Sequence, residues 1–372
     1  MINIPLVMSI ASGASLLLGF LLFNYPQHNI TPNKWLGFFI LTLGLAMMEI
    51  FLVSQNFHLY HPAYFEVIGI SRFLIAPTLY LAILNFTSLN KSFKFVLLWH
   101  FVPFILVLLF RVPFFVSGQN IDFQSPIREI VFFVLQLALP SQAILYWVLS
   151  FRRLRQHQKN INLFSSANEK IDLLWLQSFL IILLIVLIVW LNLVFLNIQP
   201  LKEFTPLIYL ICIFFLAHFS LKQGEVFDFS PADIRNLSEI IEVKNPIVKQ
   251  RLTTDQITTL NDKLNYLMTV DRLYLENELS LPVLSKKLGA SPNDTSYLIN
   301  EIHKENFYNF INRYRIEEAK NLLLDSQYQK LSIIGIAYEC GFNSKAAFNA
   351  AFKKYTGQSP TEYIKLSQNR GS

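Results

Sequence analysis

The sequence predicts an all-α protein in which a seven-helix transmembrane bundle precedes a cytoplasmic helical domain with two helix-turn-helix motifs. The 372-residue chain is 53% hydrophobic, with a mean hydropathy of +0.40, which is too apolar for a water-soluble protein. Only 15% of its residues are charged, against about 25% in a typical globular domain. Charges are sparse up to Leu221, whereas later residues combine helical periodicity with capping residues.

Seven apolar stretches precede Lys222, each about the 20 residues that a helix needs to cross a bilayer core of about 30 Å. They run approximately over residues 4–23, 35–54, 64–84, 95–116, 127–151, 173–197 and 204–221. The third is the least regular, because Glu66 and Arg72 interrupt it. The first could instead be a signal peptide, but it has no basic n-region and no clear cleavage site.

The basic residues of the short loops predict the orientation. The loops after spans one, three and five contain Lys34, Lys91, Lys94, Arg152, Arg153, Arg155, Lys159 and Lys170. The loops after spans two, four and six contribute only Lys202. We therefore expect a protein of the bacterial inner membrane with its N-terminus outside and its C-terminus in the cytoplasm, which an odd number of spans satisfies.

Six ionisable residues lie in the predicted outward halves of spans two to five, where charges are costly and usually functional. They are Glu49, Glu66, Arg72, Arg111, Arg128 and Glu129. A rise of about 1.5 Å per residue puts Glu49 and Arg111 roughly 8 Å deep and Arg72 roughly 12 Å deep. They could line one outward-facing cavity for a small polar ligand. The alternative is snorkelling at the interface, with Arg72 paired to Glu49 or Glu66 for structural reasons.

The sequence divides into a membrane sensor domain over residues 1–221, a juxtamembrane linker over 222–255 and a helical domain over 256–372. The linker is indicated by mixed charge around Gly224, Pro231 and Pro246. Apolar residues then follow at spacings of three, four and three, namely Ile257, Leu260, Leu264 and Leu267. This spacing fits either the short seam of a homodimer or the first helix of the next domain.

A helix-turn-helix pattern occupies residues 332–356. Ser332 is placed to cap a first helix, Gly341 supplies the left-handed residue that ends it, and Ser344 caps a second helix. The second helix would bury Ala347, Phe348, Ala351, Phe352 and Tyr355. Its other face carries Lys345, Ala346, Asn349, Ala350, Lys353 and Lys354. Such a helix suits the major groove of DNA, although helical hairpins of this size also occur as plain core.

A similar pattern occupies residues 281–303, where Ser280 and Ser291 are the predicted caps and Gly289 is the turn residue. The second helix of this pair would turn Thr295, Leu298 and Ile299 inward and Asn293, Ser296, Tyr297 and Asn300 outward. A connecting helix is predicted over residues 306–324. Its buried stripe would be Phe307, Phe310, Ile311, Tyr314, Ala319, Leu322 and Leu323.

Residues 260–367 resemble the DNA-binding domain of AraC/XylS-type transcription regulators. The resemblance rests on positions at fixed spacing in the second helix-turn-helix. They are Ile336, Ala337, Gly341, Phe342, Ser344, Phe348, Phe352, Lys353, Lys354, Gly357, Ser359, Pro360 and Tyr363. The connecting helix is similar to that of the subgroup whose sensor is a multi-spanning membrane region.

The resemblance implies that two recognition helices enter successive major grooves of double-stranded DNA. Asn293, Ser296, Tyr297 and Asn300 would face bases in one groove and Lys345, Ala346, Asn349 and Ala350 bases in the next. Ser344, Lys353 and Lys354 would hold phosphates. Two positions depart from the family, since Ala350 stands where many members carry arginine and Thr295 stands where leucine is usual.

We therefore expect a membrane-embedded one-component transcription regulator whose partners are DNA, the lipid bilayer, a small polar ligand and, as a further option, a second copy of the chain. No catalytic motif, cofactor site or metal site is predicted, and Cys212 and Cys340 fall in different halves of the chain. The alternatives are a sensor enzyme such as a histidine kinase, a transporter with a regulatory tail, and a receptor whose tail binds protein.

Overall fold

A computed structural model describes residues 4–24, 28–89, 95–118, 124–168, 171–195, 199–242, 252–328 and 330–370. The basic loop residues Lys91, Lys94 and Lys170, and Pro246 of the predicted linker, lie outside the described residues. The chain forms two compact units. The N-terminal unit contains Met1–Arg155 and Leu174–Val226, and the C-terminal unit contains Gln156–Leu173 and Phe227–Ser372.

The N-terminal unit is built from helices. They are α1 (Ile4–Asn24), α2 (Ile30–Ser54), α3 (Phe57–Tyr60), α4 (Pro62–Ile70), α5 (Ile75–Phe86), α6 (Val102–Ser117), α7 (Ile127–Ile161), α8 (Leu174–Phe195) and α9 (Gln199–Lys222). Short 3-10 turns precede two of them, Ser71–Leu74 before α5 and Phe95–Phe101 before α6. The end of α7, from Gln156 onwards, belongs to the C-terminal unit.

Seven helical segments of the described chain are long and apolar enough to cross a membrane. They are Ile4–Asn24, Ile30–Ser54, Pro62–Phe86, Phe95–Ser117, Ile127–Ile161, Leu174–Leu191 and Thr205–Lys222. Each overlaps one predicted span, so the predicted fold class is confirmed. The fifth extends beyond its predicted end at residue 151, because α7 continues through the basic residues that we assigned to a loop. Arg153 is held there by donating from Nε to Thr87 Oγ1, 2.8 Å away.

Helices α1 and α2 approach each other closely because glycines face each other across the contact. A Cβ atom on Gly37 would lie 2.9 Å from the carbonyl oxygen of Gly19, and one on Gly44 would lie 2.8 Å from Cβ of Ser15. The Ser12 hydroxyl donates to the Gly44 carbonyl at 3.1 Å. Small residues allow the backbones of two apolar helices to approach each other this closely.

The third predicted span is not one continuous helix, and the interruption lies at Arg72. Helix α4 ends at Ile70, the 3-10 turn Ser71–Leu74 contains Arg72, and α5 starts at Ile75. Arg72 Nε lies 2.8 Å from Glu49 Oε2 of α2. The alternative pairing of Arg72 with Glu49 is therefore present in the structure.

The C-terminal unit is also helical, and its described residues include no β-strand. Its helices are α10 (Pro231–Glu242), α11 (Thr254–Thr269), α12 (Leu281–Leu288), α13 (Pro292–Ile302), α14 (Phe307–Leu324), α15 (Ile333–Glu339), α16 (Lys345–Thr356) and α17 (Pro360–Arg370). Helix α10 lies within the segment that we predicted as linker. Helix α11 buries Leu264, Leu267 and Met268 in its own unit, which favours the first-helix interpretation over the dimer seam.

Candidate functional site

The second helix-turn-helix consists of α15, a turn at Gly341, and α16. The Ser332 hydroxyl caps α15 by accepting from the Gly335 amide at 3.1 Å, and the Ser344 hydroxyl caps α16 by accepting from the Ala347 amide at 3.1 Å. Gly341 has φ +83°, and a Cβ atom there would lie 2.7 Å from the Leu275 carbonyl oxygen. Only glycine fits this turn, because both its conformation and its neighbours exclude a side chain.

Helix α16 presents one face to the core and the opposite face to solvent. Phe348, Ala351 and Phe352 are buried, and Ala347 and Tyr355 are partly buried against the same core. Of the predicted base-facing residues, Lys345, Ala346 and Ala350 are exposed and Asn349 is half-buried.

The predicted phosphate contacts lie near the ends of α16. Lys353 and Lys354 are exposed in its last turn, where Lys354 Nζ donates to Asn309 Oδ1 at 2.7 Å, and Ser344 is the N-cap. The core side of α16 is thus anchored while its basic side remains accessible to a duplex.

The first helix-turn-helix consists of α12, a turn at Gly289 with φ +77°, and α13. The Ser291 hydroxyl accepts from the Asp294 amide at 3.1 Å, as the capping pattern predicts. Ser280 occupies the N-cap position of α12, but its hydroxyl makes no capping hydrogen bond. The inward residues of α13 are fully buried, with Thr295 and Leu298 at 0% and Ile299 at 1% exposure.

The outward face of α13 differs from that of α16 because another helix covers part of it. Helix α10 packs on α13, and Asn293 Nδ2 donates to Glu239 Oε2 of α10 at 2.8 Å. Ser296, which we predicted to face outward, is only 9% exposed, and its hydroxyl accepts from Asn300 Nδ2 at 3.2 Å. Tyr297 is half-buried and Asn300 is exposed. The expectation that Ser296 is accessible is therefore wrong for this structure.

The connecting helix α14 carries a buried arginine that we did not predict. Arg315 is 1% exposed and donates to the carbonyl oxygens of Tyr274 at 2.7 Å and Glu276 at 2.8 Å. It also lies 3.1 Å from Ser166 Oγ, to which it donates. A signal was present, because Arg315 falls between Ile311 and Ala319 on the predicted buried stripe at steps of four.

The segment between α7 and α8 forms part of the C-terminal unit, which was also not predicted. Its backbone pairs with the start of the first helix-turn-helix, where the Leu281 amide donates to the Phe164 carbonyl at 2.8 Å and the Ser166 amide donates to the Leu279 carbonyl at 3.2 Å. The Tyr308 amide of α14 donates to the Asn162 carbonyl at 3.1 Å. Residues 162–166 are therefore an interhelical loop that contacts both α14 and the start of α12.

The N-terminal unit contains a cavity of about 190 Å³. Arg72 is the predicted cavity residue among its lining, which is otherwise mostly apolar and aromatic, with polar atoms from Gln142, Tyr146, Ser150 and Tyr209. Gln142 Nε2 donates to the Phe73 carbonyl at 3.1 Å. The cavity thus combines apolar walls with a few polar groups.

The other predicted cavity residues are absent from this lining. Glu49 is buried beside Arg72, Arg111 Nε lies 3.6 Å from Glu66 Oε2, and Glu129 Oε1 accepts from the Ser125 hydroxyl at 3.2 Å. Arg128 is exposed near the start of α7. The structure therefore pairs four of the six residues but does not bring all six into one cavity.

Several titratable groups of the C-terminal unit have shifted pKa values, among them His303, Cys340 and Glu362. Burial, followed by the charge of Arg313, lowers the pKa of His303, with Glu305 opposing. Burial raises the pKa of the Cys340 thiol to about 12. Hydrogen bonds from the Ser359 amide and hydroxyl lower the pKa of the exposed Glu362. The described part of the chain holds no group of three histidine, cysteine, aspartate or glutamate residues that could bind a metal ion.

Comparison with known proteins concerns the C-terminal unit. Residues 284–366 match a family model described as a helix-turn-helix domain. An uncharacterized HTH-type transcriptional regulator of Staphylococcus aureus strain COL is 37% identical over 103 residues, which is 28% of this chain and 13% of that relative. A regulator of strain MSSA476 with the same description matches to the same extent.

The melibiose operon regulatory protein of Escherichia coli strain K12 is 43% identical over 61 residues, which is 16% of this chain and 19% of that protein. The chain thus spans less than a fifth of the length of each of these relatives. No solved structure matches it. Together with the two capped helix pairs and their connecting helix, these matches identify the C-terminal part of the chain as an AraC-type helix-turn-helix domain.

Proposed function

We propose that this protein is a membrane-embedded one-component regulator that binds specific promoter DNA through α13 and α16 under the control of its transmembrane helices. The observation that carries the proposal is the exposed face of α16. This face shows Lys345 and small side chains outward on a helix of 12 residues whose opposite face is anchored by Phe348 and Phe352. A helix of this kind fits the major groove, whose width of about 12 Å admits one helix.

The roles within α16 follow from side-chain chemistry. Lys345 can donate to guanine and Asn349 can pair with adenine, whereas Ala346 and Ala350 offer only apolar contact with a thymine methyl group. Lys353 and Lys354 would hold phosphates and provide affinity without sequence choice. The chain acts in this proposal by binding and not by catalysis.

We place the N-terminal unit in the inner membrane with the N-terminus outside. Seven apolar helices in the described chain and the basic residues after spans one, three and five support this placement. It puts the helix-turn-helix domain in the cytoplasm, where it can reach DNA. The sensing site in this proposal is the cavity beside Arg72. Its size and mainly apolar walls suit a small ligand that turns a polar group towards the arginine.

Control of DNA binding would pass through the loop of residues 162–166. This loop follows α7 in the chain and is hydrogen-bonded both to the start of α12 and to α14. Phe164 is 1% exposed, so the loop is a packed part of the C-terminal unit and not a loose connection. A change in α7 or α8 would therefore reach the first helix-turn-helix through the loop that joins these helices.

The test is selection of random duplex DNA by the full-length protein in lipid nanodiscs, followed by affinity measurement at several salt concentrations. We expect enrichment of two short motifs about 10 base pairs apart, the spacing of successive major grooves. The logarithm of the affinity should fall linearly with the logarithm of salt concentration, by about 0.9 for each phosphate contacted.

The matched control is Lys345→Ala with Asn349→Ala, which should remove one of the two motifs and leave the other. Equal enrichment by the wild type and this double variant would contradict base reading by α16. No enrichment by either would overturn the regulator and favour a membrane receptor whose helical tail binds protein.

A further inference from the structure

The face of α13 that is predicted to read bases is already occupied by a segment of the same chain. Helix α10 packs on α13, and the carboxylate of Glu239 accepts a hydrogen bond from the side-chain amide of Asn293. Ser296, which follows Thr295 on α13, is only 9% exposed. By contrast, the corresponding face of α16 is open to solvent at Lys345, Ala346 and Ala350.

The charged residues of helix α10 are mainly acidic, and the helix lies on the face of α13 that DNA would contact. Its 12 residues include the acidic residues Asp233, Glu239 and Glu242 and one basic residue, Arg235. Glu239 is exposed apart from its contact with Asn293, whereas Leu237 is fully buried and anchors the helix. The Asn293 side-chain amide is the donor that would otherwise meet a base edge. The Glu239 carboxylate therefore competes with the base for this donor.

DNA and α10 cannot occupy α13 together. The major groove is about 12 Å wide and an α-helix with its side chains is about 10–12 Å in diameter, so the groove admits one helix and not two. A groove-bound α10 would also bring its carboxylates against the phosphate backbone, where like charges repel. Reading by both recognition helices therefore requires α10 to leave α13.

We infer that α10 is an intramolecular competitor of DNA, which holds the first recognition helix closed while the second remains open. The inference rests on the proposed function, because it assigns the state in which the regulator binds DNA weakly. In this state α16 alone can contact a duplex, and the wild type reads both grooves only in the fraction of molecules from which α10 has left α13. Release of α10 adds the second groove and with it the full affinity.

The position of α10 is linked to the loop that joins α7 and α8. Phe227 and Phe229, which precede α10, pack their rings on Phe164 at centroid distances of 6.3 and 5.9 Å. Phe164 is in the loop that pairs with the start of α12. The segment leading from α9 and the loop leading from α7 therefore meet at Phe164, next to the helix that must be released.

The experiment compares full-length wild-type protein, Glu239→Gln and Leu237→Ser in nanodiscs on two duplexes. The first duplex carries both selected motifs. In the second, the motif that the Lys345→Ala, Asn349→Ala variant still enriches is scrambled. The control variant is Glu317→Gln, which makes the same change of charge on the exposed face of α14.

We expect Glu239→Gln to bind the intact duplex about tenfold more tightly than the wild type, because the charge-assisted hydrogen bond between Glu239 and Asn293 is weakened. Leu237→Ser should give at least the same gain. On the scrambled duplex both variants should match the wild type, and Glu317→Gln should match it on both.

An equal gain on the two duplexes would mean that only the overall charge matters, and it would overturn the competitor role of α10. If Glu239→Gln and Leu237→Ser bind the intact duplex no more tightly than the wild type, the competitor role of α10 is overturned too. Binding of the intact duplex by the wild type would still support the proposed DNA-binding function. If no protein binds the selected DNA, both proposals fail together.

Discussion

Gly341 is the residue at which conformation and space constrain the chain most tightly. Its φ of +83° lies in the left-handed region, and the carbonyl oxygens of Leu275 and Tyr274 lie 2.7 and 2.9 Å from where a Cβ atom would be. These are backbone atoms, and the Tyr274 carbonyl is also held by Arg315. The turn between α15 and α16 therefore cannot relax cheaply around a side chain.

Gly341→Ala should destabilise the C-terminal unit by roughly 3 kcal/mol or more, because the left-handed conformation and the backbone contact both penalise the methyl group. The matched control is Gly357→Ala, which has φ +77° and open space around its Cβ position and should cost only about 1 kcal/mol. Pulse proteolysis of the full-length protein in urea measures both. Equal losses would mean that the carbonyl contact is unimportant.

His303 makes the stability of the C-terminal unit depend on pH. Burial lowers its pKa, and its Nε2 lies 3.0 Å from Asn261 Oδ1. The unfolded chain therefore binds this proton more readily than the folded chain. This contribution to stability is fully present above the unfolded pKa of about 6.5 and is lost as the pH falls from there through the lower folded pKa.

We expect the urea concentration at the midpoint of proteolysis to decrease as the pH is lowered from 7.5 to 5 in the wild type. It should decrease less in His303→Gln. Glutamine keeps a donor for Asn261 but does not titrate, so the difference between the two slopes isolates the imidazole. Parallel slopes would show that carboxylates elsewhere cause the whole dependence.

At the scale of the element, we predict that α16 separates base contacts from phosphate contacts along its length. Lys345 starts the helix on its exposed side, whereas Lys353 and Lys354 are in the last turn. A phosphate contact acts on any sequence, whereas a base contact acts on one. Lys354 also donates a hydrogen bond to Asn309 of α14, so its substitution would alter packing as well as any phosphate contact. Substitution of Lys353 is therefore the better test of the phosphate role.

Lys353→Ala should weaken binding to all duplexes by a similar factor and make the salt slope shallower by about 1. Lys345→Ala should weaken binding mainly to the selected sequence, by about 1–3 kcal/mol. Fluorescence anisotropy at several salt concentrations distinguishes the two effects. A sequence-dependent loss in Lys353→Ala would contradict the assignment of this residue to phosphate.

At the scale of the whole molecule, two ion pairs in the N-terminal unit provide matched probes of sensing. The Glu49–Arg72 pair borders the cavity, since Arg72 is in its lining, whereas the Glu66–Arg111 pair is not. Removing Arg72 alone would leave the buried Glu49 carboxylate without its partner, which is unfavourable. Both partners must therefore be neutralised together.

Glu49→Gln with Arg72→Gln should abolish changes in reporter expression across a panel of growth conditions, while DNA affinity in nanodiscs stays within about twofold of wild type. Glu66→Gln with Arg111→Gln is the control and should retain the response. A normal response in the first double variant would exclude Arg72 from sensing.

Local sequence signals were sufficient where the structure depends on near neighbours. Capping residues such as Ser291, Ser332 and Ser344, and glycines such as Gly341, mark helix ends because they satisfy or redirect backbone groups within a few residues. The lengths of the apolar stretches predicted the seven long helices for the same reason, because the composition within one segment determines whether it is long and apolar enough. The periodicity of α14 also places Arg315 on its buried stripe, between Ile311 and Ala319.

The tertiary structure alone decided what covers α13, where residues 162–166 lie and which residues line the cavity. Glu239 and Asn293 are 54 positions apart, and Ser166 and Arg315 are 149 apart, so no periodicity within one helix relates them. The sequence by itself determined an all-helical chain with seven long apolar helices and a C-terminal helix-turn-helix domain. Packing between distant segments determined that the outward face of α16 is open to solvent while that of α13 is partly covered, because this depends on the contacts that the folded chain forms.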